Sequence, residues 1–152
     1  MLNVREINEN DIEKIAKMEK EVFSDAWTVK GIKDTVSQSQ AFVLVAEKDQ
    51  NVVGYCIVYY VLDEGEIARI AVDSSSRRQG VGRKLLDHLC LVCLEKGVFR
   101  ILLDVRESNL AARTFYLNYG FAEDGIRKNF YERPKEHAVL MSKEIGAGLE
   151  EN

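Results

Sequence analysis

The segment from residue 77 to residue 84 combines basic side chains with two glycines. Gly80 and Gly82 lack a Cβ atom, so the backbone there can adopt positive φ and approach a ligand closely. A helix beginning at this point would present free N–H groups and a dipole that favour an anion. The segment therefore predicts a site for a phosphorylated ligand, in a 152-residue chain whose formal net charge is −4. The cations of the segment are Arg77, Arg78, Arg83 and Lys84.

Three phosphate-binding patterns compete for this segment. The P-loop string G-x-x-x-x-G-K-[ST] does not occur in the chain. A dinucleotide-binding loop requires a third glycine where Leu85 stands, although Asp104 ends the next predicted strand about where a ribose-binding acid belongs. The third pattern, R-x-x-G-x-G, is satisfied from Arg77 to Gly82. A non-catalytic nucleotide-binding module therefore stays open as an alternative to an enzyme.

Hydrophobic periodicity predicts the elements that hold this loop. A strand precedes the loop, an amphipathic helix follows it with Gly97 as its C-cap, and a later short helix begins at Asn109 and ends at Gly120. The order is β-α-α-β-β-β-α-β-α-β-β, which predicts an α/β fold with a mixed central sheet, one βαβ crossover and flanking helices. The predicted strands are 2–7, 41–48, 52–62, 66–73, 98–105, 121–131 and 137–145, and the helices are 12–23, 25–38, 81–96 and 109–120.

Length and composition exclude several classes of protein. The chain is long enough for one domain with a buried core, which we place at 1–145, followed by a polar tail at 146–152. No apolar run approaches the roughly 20 residues of a membrane-spanning helix, and the charged start does not resemble a secretory signal. The mild acidic balance disfavours a nucleic-acid binder. With three cysteines and two histidines, we expect a cytoplasmic protein without a metal site.

The pattern R-x-x-G-x-G at 77–82 resembles the acetyl-CoA pyrophosphate loop of the GNAT N-acetyltransferases. The segment DVRESNLAARTFYLNYGF at 104–121 resembles the second cofactor segment of that family. Together with IAVDSSSRRQGVG and RKNFYERPKEHAVLM, it is similar to one branch, the ribosomal-protein-alanine acetyltransferases of the RimI type. The resemblance runs from Asn3 to about Ile145. It implies the GNAT (acyl-CoA N-acyltransferase) fold and transfer of acetyl from acetyl-CoA to a protein N-terminal amine, that of ribosomal protein S18. A small-molecule or lysine acetyltransferase of the same fold is the alternative.

The resemblance also implies which residues hold acetyl-CoA. Backbone groups of the strand before the loop would bind the acetyl and pantetheine part, and Asn109 would contact the pantetheine arm. The strand residues are Ile70, Ala71 and Val72, and the residues around the pyrophosphate are Arg77, Arg78, Gln79, Gly80, Val81, Gly82 and Arg83.

Catalytic roles follow from the same resemblance. Tyr116 matches the general acid of the family, and a phenol with a pKa near 10 suits a thiolate whose free pKa is near 8.5. Asp104 stands where the branch has glutamate as the base, and its side chain is one methylene shorter. Three possibilities therefore stay open: Asp104 acts directly as the base, it acts through a water, or it has no direct role. Glu66, on the preceding strand, is the first substitute. Phe130 and His137 replace the tyrosine and aspartate usual in the branch, at positions that bear on substrate recognition.

Overall fold

The helices and strands of the protein follow one another in the predicted order. The structure is a computed structural model that describes residues 1–146. Short 3-10 turns at Glu9–Asp11 and Ser74–Ser76 precede α1 and the glycine-containing loop. The strands are β1 (Leu2–Glu6), β2 (Ala41–Lys48), β3 (Asn51–Val61), β4 (Glu64–Val72), β5 (Arg100–Arg106), β6 (Ala122–Tyr131) and β7 (Glu136–Glu144), and the helices are α1 (Ile12–Val22), α2 (Val29–Val36), α3 (Val81–Glu95) and α4 (Leu110–Tyr119).

The chain divides into two units, of which unit 1 comprises Met1–Tyr59 and Ala68–Val92. In unit 1, β2 pairs antiparallel with both β1 and β3. Helices α1 and α2 cover one face of these strands, where Ile15 and Ile32 pack with Tyr55. Gly54 points to the opposite face, because side chains alternate along a strand. A Cβ atom on Gly54 would lie 3.0 Å from the Val81 side chain, so α3 packs directly against β3 on that second face.

Unit 2 comprises Tyr60–Ile67 and the described residues from Cys93 onward. Here β4 pairs parallel with β5, and α3 connects these two strands, which confirms the predicted βαβ crossover. Strand β7 lies between β5 and β6 and is antiparallel to both. The seven strands are hydrogen-bonded in the order β1-β2-β3-β4-β5-β7-β6, so the predicted mixed sheet and α/β class are confirmed.

Three details refine the predictions. Helix α2 begins at Val29 and not at Asp25, because the Thr28 hydroxyl caps it by accepting the Gly31 N–H at 3.0 Å. The tail predicted at 146–152 lies outside the described residues except for Gly146, and the assignment of 1–145 to one domain stays a prediction. Within residues 1–146, no helix is both long and apolar enough to cross a membrane.

Candidate active site

The predicted phosphate loop lies in unit 1, between the Ser74–Ser76 turn and the start of α3. The Lys84 N–H donates to the Gly80 carbonyl at 3.0 Å, which is the first hydrogen bond of the helix. The N–H groups that precede Lys84 therefore belong to the first turn, where a helix has no acceptors of its own. This arrangement provides the backbone donors that an anion needs.

Backbone conformation in the loop partly follows the prediction. Gly80 has φ +80°, and a Cβ atom placed there would have no described atom within 4 Å, so the backbone is open to a ligand. The prediction of positive φ is wrong for Gly82, because that residue lies inside α3 and has helical geometry. Arg78 has φ +66° instead. The two residues with positive φ, Arg78 and Gly80, therefore both lie before the first residue of α3.

A further cation reaches the loop from β2. Lys48 Nζ donates to Gln79 Oε1 at 2.9 Å, and the Gln79 amide lies 3.4 Å from the Ser75 carbonyl. Lys84 Nζ, in contrast, lies 3.3 Å from the carbonyl oxygen of Leu2 and so is drawn toward β1. The sequence does not predict this contact of Lys48 with the loop, because 31 positions separate Lys48 from Gln79 and no local pattern connects them.

The strand before the loop is irregular where the resemblance places the acetyl group. Ala68 and Ala71 both pack in the cluster formed with α1 and α2. Residues three apart point to opposite faces in a regular strand, so the alternation is interrupted between Ala68 and Ala71. The residue that follows β4 is hydrogen-bonded to β3, because the Asp73 N–H donates to the Val53 carbonyl at 2.8 Å.

Asp104 lies in the middle of unit 2, on β5 and opposite Leu140 of β7. Its side chain is 15% exposed, and the nearest cation is Arg127, whose Nε is 3.8 Å from Asp104 Oδ1. That oxygen is buried and accepts no hydrogen bond from any described residue. Burial raises the pKa of Asp104 above its ordinary value of 3.8, and the charge of Arg127 opposes this effect. A partly desolvated carboxylate with a raised pKa is a good candidate proton acceptor.

Glu66 lies on the same face of unit 2 as Asp104, one strand away. It is the register partner of Leu102, and Asp104 follows Leu102 by two positions, so the side chains point the same way. Glu66 is exposed, whereas Asp104 is largely buried. Water therefore solvates the Glu66 carboxylate far more fully, which favours Asp104 as the base.

Helix α4 holds Asn109 and Tyr116. The Asn109 Oδ1 accepts the Ala112 N–H at 3.1 Å and caps the helix, so a contact with a ligand would have to use its NH₂ group. Tyr116 is buried, and its ring lies edge-on to Phe115 and Phe121 with centroid distances of 5.3 and 5.4 Å. Gly120, with φ +112°, ends the helix. The tyrosine ring is therefore held rigidly by its neighbours.

Glu136 supports the start of α4 from β7. Its Oε2 accepts the Ser108 N–H at 2.6 Å, and its Oε1 lies 3.3 Å from Arg106 Nη1. Hydrogen bonding from Ser108 lowers the pKa of Glu136. This contact fixes the residue just before Asn109, and no local pattern in the sequence predicts it, because Glu136 is 28 positions away.

The two departures from the branch pattern lie on β6 and β7. His137 Nδ1 accepts the Asn129 N–H at 2.8 Å, at a point where the β6–β7 register is irregular. Phe130 is exposed and lies edge-on to Tyr131, with the ring centroids 5.0 Å apart. In this chain, His137 therefore helps to shape the hairpin.

Comparison with known proteins agrees with the resemblance. The model of the acetyltransferase (GNAT) family matches residues 10–121. The Haemophilus influenzae [ribosomal protein bS18]-alanine N-acetyltransferase is 33% identical over 142 residues, covering 91% of this chain and 96% of that protein. The crystal structure of the Escherichia coli ribosomal-protein-S18-alanine N-acetyltransferase superposes with a TM-score of 0.87 at 30% identity, covering 95% of this chain and 94% of the other.

A second solved structure, that of Ard1 from Thermoplasma volcanium, has the same TM-score of 0.87 at 28% identity and covers 95% of this chain and 97% of the other. The family model spans most of the chain, and the Escherichia coli and Haemophilus influenzae enzymes match nearly its whole length. The predicted GNAT fold is thus confirmed, and so is the prediction that the protein is an N-acetyltransferase. The chain belongs to the acetyltransferase (GNAT) family.

Proposed function

We propose that this enzyme transfers the acetyl group of acetyl-CoA to the N-terminal alanine of ribosomal protein bS18. The observation that carries the proposal is the 33% identity to the Haemophilus influenzae enzyme of that name over 91% of this chain. The similarity of fold to the Escherichia coli enzyme, at 30% identity, supports it independently of the sequence alignment.

Unit 1 supplies the groups suited to bind acetyl-CoA. The pyrophosphate fits the basic loop at 77–83, where Gly80 leaves the backbone open and the first turn of α3 offers N–H donors. Backbone groups of Ile70, Ala71 and Val72 would align the acetyl and pantetheine part, and in unit 2 the Asn109 amide would contact the pantetheine arm. Bound in this way, acetyl-CoA supplies an acetyl thioester that an amine can attack.

Unit 2 supplies the groups suited to move protons. Asp104 Oδ1 would accept a proton from the attacking amine, since it is buried, has a raised pKa and accepts no hydrogen bond from the described residues. Tyr116 Oη would donate a proton to the departing thiol sulfur. Glu66 would act as the base only if Asp104 does not, because its carboxylate is exposed.

The chemistry of the acceptor fits a base of modest strength. An α-amino group has a pKa of about 7.7–8.0, so roughly a tenth of it is neutral at pH 7, whereas lysine, with a pKa of about 10.4, is neutral in fewer than about one molecule in a thousand. A carboxylate is a weak base even when its pKa is raised. It therefore suits an N-terminal amine better than a lysine side chain, and most of the rate would come from positioning the amine against the thioester.

Replacing Arg78 by glutamine tests the loop. A charge-assisted hydrogen bond contributes about 1.5–3 kcal/mol, so we expect KM for acetyl-CoA to rise about 10–100-fold. The kcat value should change little, because the substitution is remote from the proton-transfer groups along the chain. Glutamine and arginine bear the same cost of positive φ at this position. Lys17→Gln removes an exposed charge from α1 and should leave KM unchanged. Equal effects of the two substitutions would contradict the assignment of the loop.

An acceptor panel tests the function. Thiol release from acetyl-CoA is measured with a peptide bearing the bS18 N-terminus, the same peptide blocked at its N-terminus, a lysine peptide and a polyamine. We expect the free bS18 peptide to have the highest kcat/KM, by at least tenfold. A higher value for lysine or the polyamine would overturn the assignment of the acceptor. Absence of thiol release with every acceptor would overturn acetyl transfer from acetyl-CoA.

A further inference from the structure

Unit 1 contains a completely buried carboxylate that the proposed chemistry does not use. The Glu19 side chain, on α1, is 0% exposed. It accepts hydrogen bonds from the Tyr55 hydroxyl at 2.5 Å, the Trp27 N–H at 2.9 Å and the Arg69 Nε at 3.2 Å. Burial, with Glu19 nearby, raises the pKa of Tyr55 far above its ordinary value, so its hydroxyl remains a donor. A buried charge is tolerated only when it is paired and hydrogen-bonded, and Glu19 meets both conditions.

Arg69 connects this carboxylate to the segment between α1 and α2. Its Nη2 donates to the Asp25 carbonyl at 2.8 Å and to Asp25 Oδ1 at 2.9 Å. Its guanidinium carbon lies 4.0 Å from the centroid of the Phe23 ring, within the range of a cation–π contact. The Arg69 side chain is only 11% exposed. One guanidinium group therefore joins β4, α1 and the residues that follow α1.

Arg69 lies on β4, directly before the residues that would align the acetyl thioester. Arg69 immediately precedes Ile70, and both residues lie in the short stretch between Ala68 and Ala71 where the alternation of β4 is interrupted, as the packing of those two alanines shows. An interrupted strand lacks the regular pleat that would otherwise set its backbone direction. The bonds of Arg69 to Glu19 and Asp25 hold the chain at this point.

We propose that Glu19 and Arg69 are positioning residues that fix the backbone of β4 at Ile70–Val72, where the acetyl thioester is aligned for attack. This inference rests on the proposed use of acetyl-CoA by the same strand. The anion-binding loop has its own contacts through Gln79 and the start of α3. Loss of the pair should therefore lower the rate of transfer while leaving the affinity for acetyl-CoA nearly unchanged, because small displacements of reacting groups are costly.

The test compares Arg69→Met with Arg5→Met. Arg5 forms an equally well-made ion pair in unit 1, with Asp11 at 2.8 and 3.0 Å, but on β1. We expect both variants to lose thermal stability. Arg69→Met should lower kcat at least tenfold with the dissociation constant of acetyl-CoA within threefold of wild type, whereas Arg5→Met should keep kcat within twofold. Arg69→Lys, which restores the charge beside Glu19, should recover part of the lost kcat.

Several outcomes would overturn the positioning role. One is a kcat of folded Arg69→Met within threefold of wild type, or a loss of kcat no larger than that of Arg5→Met. Another is that Arg69→Lys recovers none of the lost kcat. The last is that Arg69→Met loses affinity for acetyl-CoA while its kcat is preserved. If Arg69→Met does not fold, Glu19→Gln, which keeps the size of the side chain and one oxygen acceptor, is judged by the same criteria. Wild-type protein that transfers no acetyl group would instead refute the proposed function. Transfer to another amine would leave the comparison valid with that amine.

Discussion

Replacing Tyr116 by phenylalanine is expected to lower kcat by about 10²–10³-fold, within the range of a lost general acid. The departing thiolate would then have to leave without a proton from the enzyme. The ring of phenylalanine can keep the edge-on contacts with Phe115 and Phe121, so folding should be preserved. KM for acetyl-CoA should stay within threefold, because the phenol oxygen is not needed to hold the pyrophosphate. Steady-state kinetics with the bS18 peptide measures both constants.

Tyr119→Phe is the matched control for this substitution. Tyr119 lies on the same helix and also packs near Phe121, with the ring centroids 6.3 Å apart. It loses the same hydroxyl group, and we expect kcat within twofold of wild type. A Tyr116→Phe enzyme with unchanged kcat, or an equal loss in both variants, would remove Tyr116 as the acid.

Replacing Asp104 by asparagine is expected to lower kcat/KM about 100-fold near pH 7 and to change its pH dependence. The wild-type rate should rise as the pH passes the raised pKa of Asp104, because only the ionised carboxylate accepts a proton. Asparagine cannot ionise, so this dependence should disappear. Glu66→Gln, on the same face of unit 2, should retain both the rate and the pH dependence. The opposite result, with Glu66→Gln inactive and Asp104→Asn active, would identify Glu66 as the base.

Asp104→Asn should also stabilise the folded protein. Burial raises the pKa of Asp104 in the folded state above the 3.8 of an ordinary aspartate, so folding opposes its ionisation. Below pH 3.8 the carboxyl is protonated in both states and the variants should be equally stable with respect to this group. As the pH rises, the unfolded chain ionises freely and wild type loses stability relative to Asp104→Asn. The melting temperature of the variant should therefore be higher than that of wild type at pH 7. A lower melting temperature at pH 7 would contradict this account of Asp104.

Local patterns in the sequence predicted the parts of the site that lie close together along the chain. The glycines and arginines of 77–83 predicted an anion loop before a helix, and Asn109 and Gly120 predicted the two ends of α4. The predicted start of α3 and the predicted ends of α4 are confirmed, because caps and turns depend on the conformation of one or two residues, whereas anion binding by the loop stays a prediction. Positive φ was wrong for Gly82, because this residue already lies inside the helix that was correctly predicted to begin at Val81.

Contacts between distant residues could not be predicted in this way. The pairing of Lys48 with Gln79 depends on where the end of β2 lies in the folded sheet. The position of β7 between β5 and β6 depends on strand pairing that hydrophobic alternation leaves undetermined. Glu19 falls among exposed lysines and glutamates of α1, and only the fold reveals that Tyr55 and Arg69 meet it in the core.

Locating the transferred acetyl group most directly tests the central claim that this chain acetylates a protein N-terminal amine. A peptide with the bS18 N-terminus, free at its alanine and carrying one lysine downstream, is incubated with the enzyme and acetyl-CoA and sequenced by tandem mass spectrometry. We predict a single acetyl group on the alanine α-nitrogen, formed only when both enzyme and acetyl-CoA are present. Acetylation of the lysine Nζ in preference to the α-nitrogen, or an unmodified peptide, would contradict the claim.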